Sequence, residues 1–187
     1  MIKIAVAGKM GAGKNEFFKL ACQLFGGIKF EERKFASKMY ECMYTIQNIL
    51  GIEVHKDGAF LQFIGQHYQK QYGSNFWVDQ FFVQYEGNLS QYTSHPFKDR
   101  NIIITDLRFP AEFEACKKHG FKTVRIDRKR ELRLESIGNR DPNHISETAL
   151  DSVPNAYFDY VINNNGSLSF FEGAIIQIIE DIQRKHK

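Results

Sequence analysis

A phosphate-loop spacing near the start of the chain, in the stretch IAVAGKMGAGKNEF, constrains the fold most. Ile2 to Ala7 is an apolar run rich in β-branched residues, which predicts a buried parallel strand. Apolar residues at helical spacing then predict a helix from Asn15 to Phe25. Between the two, Gly8, Gly13 and Lys14 match the pattern G-x-x-x-x-G-K. The alternative interpretation is a glycine-rich turn between strand and helix that binds nothing.

The chemistry of phosphate binding explains this spacing. Glycines let backbone N–H groups turn towards phosphate oxygens, and the lysine reaches the terminal phosphates. The positive N-terminal end of the following helix attracts the same negative charge. The residues expected to hold the phosphates of ATP are consecutive: Gly8, Lys9, Met10, Gly11, Ala12, Gly13, Lys14 and Asn15.

Asn15 departs from the usual pattern, which has Ser or Thr after the lysine. The usual hydroxyl is a ligand of Mg²⁺. The amide oxygen of asparagine can also face a hard cation, so Asn15 is a candidate metal ligand, directly or through water. Equally, Asn15 can serve only to begin the helix, with the metal held elsewhere.

A second acidic partner follows another apolar run, in NIIITDLRFPAEFEA. The run Asn101 to Thr105 predicts a buried strand, which places Asp106 just past its end. A carboxylate there can position Mg²⁺ or its waters against the phosphates. The guanidinium of Arg108 suits forked contact with a phosphate. The alternatives are an aspartate that caps the next helix and an Arg108 that pairs with a nearby glutamate.

Further segments alternate between helix and strand along the chain. Helices are predicted over Phe35–Leu50, Phe60–Tyr72, Phe76–Tyr85 and Pro110–Lys118 and from Ser167 to the C-terminus, and strands over Phe121–Ile126 and Tyr157–Ile162. This alternation predicts an α/β fold with a mostly parallel sheet covered on both faces. We expect one domain over 1–187, with an inserted helical lobe at about 35–95.

A basic stretch, RIDRKRELRLESIGNRD, follows the Phe121–Ile126 strand. Arginines that close over a transferring phosphoryl group would stabilise its charge and exclude water. Arg128, Arg130 and Arg133 are the candidates, in a short lid over about 128–145. The alternative is a solvated helix whose charges pair at i,i+4 spacing.

Composition excludes several classes of function. The formal net charge is only +3, so we expect no nucleic-acid partner. We also expect no membrane partner, because no apolar run is long enough to span a bilayer. Three widely spaced cysteines argue against a disulfide framework or zinc site and fit a reducing cytoplasm. The histidines form no Ser-His-Asp pattern, which argues against hydrolysis or acyl transfer.

Six segments together resemble one family. In chain order they are GKMGAGKN, FASKMYECM, LQFIGQHYQKQYGSNFWVD, ITDLRFPAEFEA, HISETALD and VINNNGSL. They resemble the deoxynucleoside monophosphate kinases of bacteriophages over most of the chain, most specifically in TDxRFPxE and H-x-SE…NNGSL. The resemblance implies a P-loop three-layer sandwich with a helical monophosphate-binding lobe and an arginine-bearing lid.

The resemblance also implies roles for individual residues. The expected catalytic set is Lys14, Asp106, Arg130 and Arg133, and the ATP-binding set is Gly8 to Asn15 together with Arg128. Asn15 and Asp106 are the expected metal ligands. The expected substrate-binding set is Phe35, Lys70, Trp77, Arg108 and Glu147. Lys70 stands where the family pattern has arginine, which keeps the charge and loses the forked geometry.

The expected reaction moves the γ-phosphoryl group of ATP, with Mg²⁺, onto a deoxynucleoside monophosphate. Two alternatives stay open: another small-molecule P-loop kinase, such as one acting on dephospho-coenzyme A, and a nucleotide-binding module without catalysis. The expected location is the cytoplasm, that of the host if the gene belongs to a phage. Ile175, Ile176 and Ile179 on the last helix suit either a homodimer face or ordinary core packing.

Overall fold

A computed structural model of the protein describes residues 1–86, 100–134 and 145–185 of the chain. The strands are β1 (Lys3–Ala7), β2 (Phe30–Arg33), β3 (Asn101–Leu107), β4 (Lys122–Asp127) and β5 (Tyr160–Asn163). The α-helices are α1 (Lys14–Leu24), α2 (Ser37–Ile49), α3 (Gly58–Tyr72), α4 (Phe76–Glu86), α5 (Pro110–Lys118), α6 (Arg130–Leu134), α7 (Ile145–Thr148) and α8 (Leu168–Lys185). Short 3₁₀ turns at Ala149–Ser152 and Asn155–Tyr157 lead into β5.

The five strands form one parallel sheet in the order β2-β3-β1-β4-β5. The central strand, β1, is almost entirely apolar, and Ile4, Ala5 and Val6 have no exposed surface. Such a continuous apolar run is typical of a strand covered on both faces. Because every strand is parallel, the carboxyl ends of all five lie at one edge, where ligands bind in open α/β sheets. The predicted α/β fold class is confirmed.

Helices α1 and α8 pack against the sheet and bury one continuous core. Phe17 of α1 and Ile175, Ile179 and Ile182 of α8 belong to this core and have no exposed surface. Two of the three isoleucines that also suited a homodimer face therefore pack inside the chain. None of the described helices is both long and apolar enough to cross a membrane.

The chain divides into two compact units, Met1–Arg33 with Asp99–Lys187, and Lys34–Lys98. The second unit is helical in its described part and is formed by α2, α3 and α4. Its aromatic side chains pack on one another, with the ring centroids of Phe35 and Phe81 4.5 Å apart. Of the predicted lobe, 87–95 lie outside the described residues, as do 135–144 of the predicted lid. The assignment of lobe and lid stays a prediction.

Strand β2 was not predicted, because its sequence FEER has neither an apolar run nor alternation. It is a short edge strand that polar contacts hold in place. The Thr105 hydroxyl donates to Glu32 over 2.6 Å, and Arg100 pairs with Glu31 over 2.7 Å. Tertiary pairing with β3, whose residues are far along the chain, decides its conformation.

Strands β3 and β5 differ from their predicted bounds. β3 continues past Thr105 through Leu107, because the register shifts and pairs Leu107 with Ala7. Asp106 therefore lies within the last residues of the strand. β5 begins at Tyr160 rather than at Tyr157. The carboxylate of Asp159 accepts the backbone N–H of Thr123 over 2.8 Å. Just before β5 begins, this side chain therefore takes the place of a backbone carbonyl as the acceptor for β4.

Helix α8 supplies a direct test of the core. Replacing Ile175 by alanine should lower the free energy of unfolding by about 2–5 kcal/mol, because the cavity forms where no surface is exposed. The matched control is Leu168→Ala on the same helix, since Leu168 is 58% exposed and should change stability by less than about 0.5 kcal/mol. Chemical denaturation measures both; equal losses would contradict the packing of α8.

Candidate nucleotide site

A cavity of about 350 Å³ opens at the carboxyl edge of the sheet, within the first compact unit. Residues that follow β1, β3 and β4 line it, together with residues of α7 and the turn after it. The basic side chains in its lining are Lys9, Arg108, Arg125, Arg128, Lys129 and Arg133, and the acidic ones are Asp127, Glu147 and Asp151. The cavity therefore combines a strand-edge position with an excess of positive charge, which suits an anionic ligand.

The loop from Gly8 to Gly13 turns at its glycines between β1 and α1. Gly8 and Gly13 have φ of 150° and 111°, in a region that other residues rarely adopt. A Cβ on Gly8 would lie 2.7 Å from the carbonyl oxygen of Ile126, and one on Gly13 would lie 2.7 Å from the amide nitrogen of Asn164. Both positions thus favour glycine for conformation, and Gly8 requires it for space as well, because the atom that a Cβ would meet there belongs to the backbone.

Lys14 is buried at the first residue of α1 and turns back towards the loop. Its ammonium donates to the carbonyl oxygens of Gly8 and of Lys9, the latter over 3.1 Å. Burial, together with the nearby charge of Arg108, lowers the pKa of Lys14 to about 8. The carboxylates of Glu147 and Asp106 act in the opposite direction and favour the charged ammonium. Lys14 and Asp106 therefore lie close enough for their charges to interact.

The turn after β3 is organised by Glu112, which the sequence suggested only as an ion-pair partner of Arg108. Its carboxyl group accepts the backbone N–H groups of Arg108, over 2.7 Å, and of Phe109, over 3.0 Å. Burial, aided by the charge of Asp106, raises the pKa of Glu112 to about 8. Glu112 thereby fixes the backbone that carries Asp106 and Arg108. Glu112 could have been found from the sequence, because it lies three residues after Phe109 at a helix start. A glutamate at that position can accept the backbone N–H groups there.

Glu147 on α7 connects two predicted parts of the site. Its carboxylate accepts the backbone N–H of Met10 in the loop and a guanidinium N–H of Arg108. The Glu147 side chain is only 2% exposed, so it is held between these donors rather than in solvent. Arg108 also donates to the hydroxyl of Ser146 over 3.1 Å. The structure therefore brings Met10, Arg108 and Glu147 together.

Two of the three predicted lid arginines contact the loop. Arg128 donates to the carbonyl oxygen of Gly11 and Arg133 to that of Met10, each over 3.3 Å. Arg133 also donates to the carbonyl oxygen of Arg128 over 3.0 Å, and its side chain is buried. Arg130 is exposed at the first residue of α6. The roles predicted for these arginines in catalysis and ATP binding stay predictions.

The predicted residues Phe35, Lys70 and Trp77 lie in the helical unit. Trp77 donates its indole N–H to the carbonyl oxygen of Gly65 over 3.0 Å, and Phe35 packs on Phe81. Lys70 lies in the last turn of α3 and is exposed. These contacts give the two aromatic side chains fixed positions. Their role in acceptor binding stays a prediction.

Sequence reasoning also missed polar contacts that fix the walls of the cavity. Lys9 pairs with Asp151 over 2.7 Å. Arg125 donates to the carbonyl oxygen of Val153 over 2.7 Å, and its guanidinium lies 5.0 Å from the ring of Phe158. These contacts join distant parts of the chain, so no local pattern marks them.

The site contains the ligand types that a nucleotide with Mg²⁺ requires. Arg128 Nε is buried and has no hydrogen-bond partner in the described part of the chain, which leaves a donor available to an anion. In residues 1–86, 100–134 and 145–185, no group of three or more His, Cys, Asp or Glu side chains could hold a metal. Mg²⁺ bound through phosphates and waters needs only one or two protein ligands. The oxygens of Asp106 and exposed Asn15 are of the hard type that Mg²⁺ prefers.

No known family model matches the sequence. One curated protein is similar over most of its length: the uncharacterized protein ORF77 of Ictalurid herpesvirus 1 (strain Auburn). The two sequences are 31% identical over 176 residues, which span 92% of this chain and 68% of the viral protein.

Solved structures with the same fold include several kinases. Shikimate kinase from Acinetobacter baumannii, in complex with shikimate, superposes with a TM-score of 0.52 at 14% identity, over 97% of this chain and 94% of that one. Dephospho-CoA kinase from Campylobacter jejuni superposes with a TM-score of 0.51 at 17% identity, over 98% of each chain. At these identities the similarity shows the fold alone, which this chain shares with these kinases.

The raised pKa of Glu112 predicts a pH dependence of stability. A carboxyl group that is protonated in the folded protein but ionised when unfolded stabilises the fold below its unfolded pKa, and this contribution is lost as pH rises to the folded value. Relative to Glu112→Gln, which keeps a neutral acceptor for the two N–H groups, the wild type should lose up to about 1.4 kcal/mol per pH unit between about pH 5 and 8. Denaturation at several pH values measures the difference; parallel curves would show that Glu112 is already ionised in the fold.

Proposed function

The chain belongs to the family of the uncharacterized protein ORF77 of Ictalurid herpesvirus 1, and we propose that it is a kinase that transfers the γ-phosphoryl group of ATP to a small molecule. One observation carries the proposal. The ammonium of the buried Lys14 donates to the carbonyls of a glycine-bounded loop and is within range of the charge of Asp106, at the carboxyl edge of a parallel sheet. This is the arrangement that phosphoryl transfer needs, because positioning and electrostatic stabilisation supply most of its catalysis.

Lys14 and the loop would bind the phosphates of ATP. The first turn of α1 leaves the N–H groups of Lys14, Asn15 and Glu16 without intrahelical acceptors, so phosphate oxygens can accept them. A phosphate near Lys14 would also favour its charged form, which the buried site disfavours. Arg128 would add the buried Nε donor to the same anion.

Asp106 and Asn15 would hold Mg²⁺ together with water and the nucleotide. The metal would neutralise charge on the transferring group. Asp106 lies at the end of the strand next to β1, so its carboxylate and the loop share one edge of the sheet. Because Asn15 stands where the usual pattern has a hydroxyl residue, Asp106 would be the main protein ligand of Mg²⁺.

The acceptor that we propose is a deoxynucleoside monophosphate. The segments TDLRFPAE and HISE, which carry the resemblance to phage deoxynucleoside monophosphate kinases, contain Arg108 and Glu147. In the fold these two side chains form an ion pair beside Met10 of the loop. A guanidinium in this position can bind the acceptor phosphate while Glu147 keeps it oriented.

In the proposed reaction an acceptor phosphate oxygen forms a bond to the γ-phosphorus of ATP, and the bond from that phosphorus to the β,γ-bridging oxygen breaks. The products are ADP and the deoxynucleoside diphosphate. Lys14 would stabilise charge on the moving group, and Arg133 and Arg130 are the arginines proposed to assist. Phe35, Trp77 and Lys70 are the residues proposed to contact the acceptor.

Release of ADP with different acceptors tests this proposal. The wild type, with ATP and Mg²⁺, should release ADP with at least one of the four deoxynucleoside monophosphates. Lys14→Ala should lower kcat by at least about a hundredfold, as does loss of one donor to developing charge in other enzymes. The matched control is Lys19→Ala on the same helix. Lys19 is exposed and pairs only weakly with Glu16, so this variant should keep kcat within about twofold of the wild type.

The acceptor panel also includes dephospho-coenzyme A. Activity with that compound alone would overturn the nucleotide acceptor and keep the kinase. ATP binding without release of ADP, whatever the acceptor, would support a nucleotide-binding module instead. Full activity of Lys14→Ala would refute the assignment of the loop.

A further inference from the structure

Asn164, in the turn after β5, makes a contact with the phosphate loop that lies 152 residues away in sequence. Its side-chain amide donates to the carbonyl oxygen of Ala12 over 2.9 Å. Its backbone N–H donates to the carbonyl oxygen of Asp127, at the end of β4, over 2.7 Å. Asn164 therefore links the end of β4 to the centre of the loop, and is itself held at the sheet.

Because a peptide unit is planar, this contact also sets the direction of the neighbouring N–H group. In a planar trans peptide the C=O of one residue and the N–H of the next point in opposite directions. When Asn164 holds the carbonyl of Ala12, the N–H of Gly13 must point away from Asn164. Arg133 acts in the same way on the peptide between Met10 and Gly11, because it donates to the carbonyl oxygen of Met10.

The contact also bears on position 13. A Cβ there would lie 2.7 Å from Asn164 Nδ2, so a larger residue would displace the Asn164 amide from its place. The amide of Asn164 thus occupies the space on one side of Gly13, which leaves the other side of that residue for a ligand. Gly13 has a φ of 111° in this turn, a conformation that glycine adopts more readily than other residues.

We propose that Asn164 is a positioning residue that sets the direction of the Gly13 N–H, so that the loop presents this donor to the phosphates of a nucleotide. The proposal rests on the proposed function, because it assumes that the loop binds phosphates. Asn164 touches the loop and not the nucleotide. Its side chain should therefore affect affinity for any polyphosphate, whether or not the ligand carries a base.

Two other roles for Asn164 make different predictions. If Asn164 contacted the base of ATP, its loss would weaken ADP binding and leave the binding of inorganic tripolyphosphate unchanged. If Asn164 only stabilised the turn after β5, its loss would lower the melting temperature of the free protein and would not act selectively on phosphate ligands.

Titration calorimetry on the whole chain separates these roles, with ADP and inorganic tripolyphosphate as probes. Asn164→Ala should weaken both ligands by the same factor, about tenfold for one oriented hydrogen bond, while the melting temperature changes little. Asn164→Leu, which fills similar space near Gly13 without a donor, should give the same loss. Asn163→Ala is the matched control, because Asn163 is an exposed asparagine at the end of β5, next to Asn164 in sequence; its affinities should stay within about twofold of the wild type.

Unchanged affinity of Asn164→Ala for tripolyphosphate would overturn the proposal and leave the proposed function intact. Failure of both Asn164 variants to fold would also overturn it, since Asn164 would then be a structural residue of the turn. A wild type that binds neither probe would instead refute the proposed function, and the role of Asn164 with it.

Discussion

The buried ammonium of Lys14 is the interaction on which the site depends. Removing a cation from water costs several kcal/mol unless partners replace the lost hydration. Here the carbonyls of Gly8 and Lys9 and the carboxylates of Asp106 and Glu147 do so in part. The pKa of Lys14 nevertheless falls to about 8, because burial and the charge of Arg108 outweigh them. A polyphosphate bound at the loop would supply the negative charge that the protein lacks there.

The loop keeps its shape through contacts from three later parts of the chain. Arg133 and Asn164 hold its carbonyls from the segments after β4 and β5, and Glu147 accepts its Met10 N–H from α7. A loop fixed in this way need not reorganise when it binds an anion, which is the advantage of preorganised dipoles in phosphoryl transfer. The same contacts connect the loop to Arg108, which Glu147 orients.

Local patterns predicted the parts of the structure that depend on local chemistry. Glycine spacing after an apolar strand identified the loop and the burial of β1, and the run before Asp106 identified β3. The edge strand β2 escaped, because the polar sequence FEER becomes a strand only by pairing with β3. Asn164 escaped because its partner is 152 residues away. Arg133 was predicted as a lid arginine, but the burial of its side chain was not, because a basic helix usually faces solvent. Contacts of this range are decided by the packed fold and leave no periodic signal in the sequence.

Amide hydrogen exchange of the loop tests the central claim, that its backbone N–H groups bind phosphate. The wild-type protein would be measured alone and with saturating ATP and Mg²⁺, following peptides that cover Gly8 to Glu16. Slower exchange in these peptides on addition of ATP is the predicted result, because phosphate oxygens would accept N–H groups that α1 leaves without intrahelical acceptors. Unchanged exchange of the loop at saturating ATP would contradict the claim.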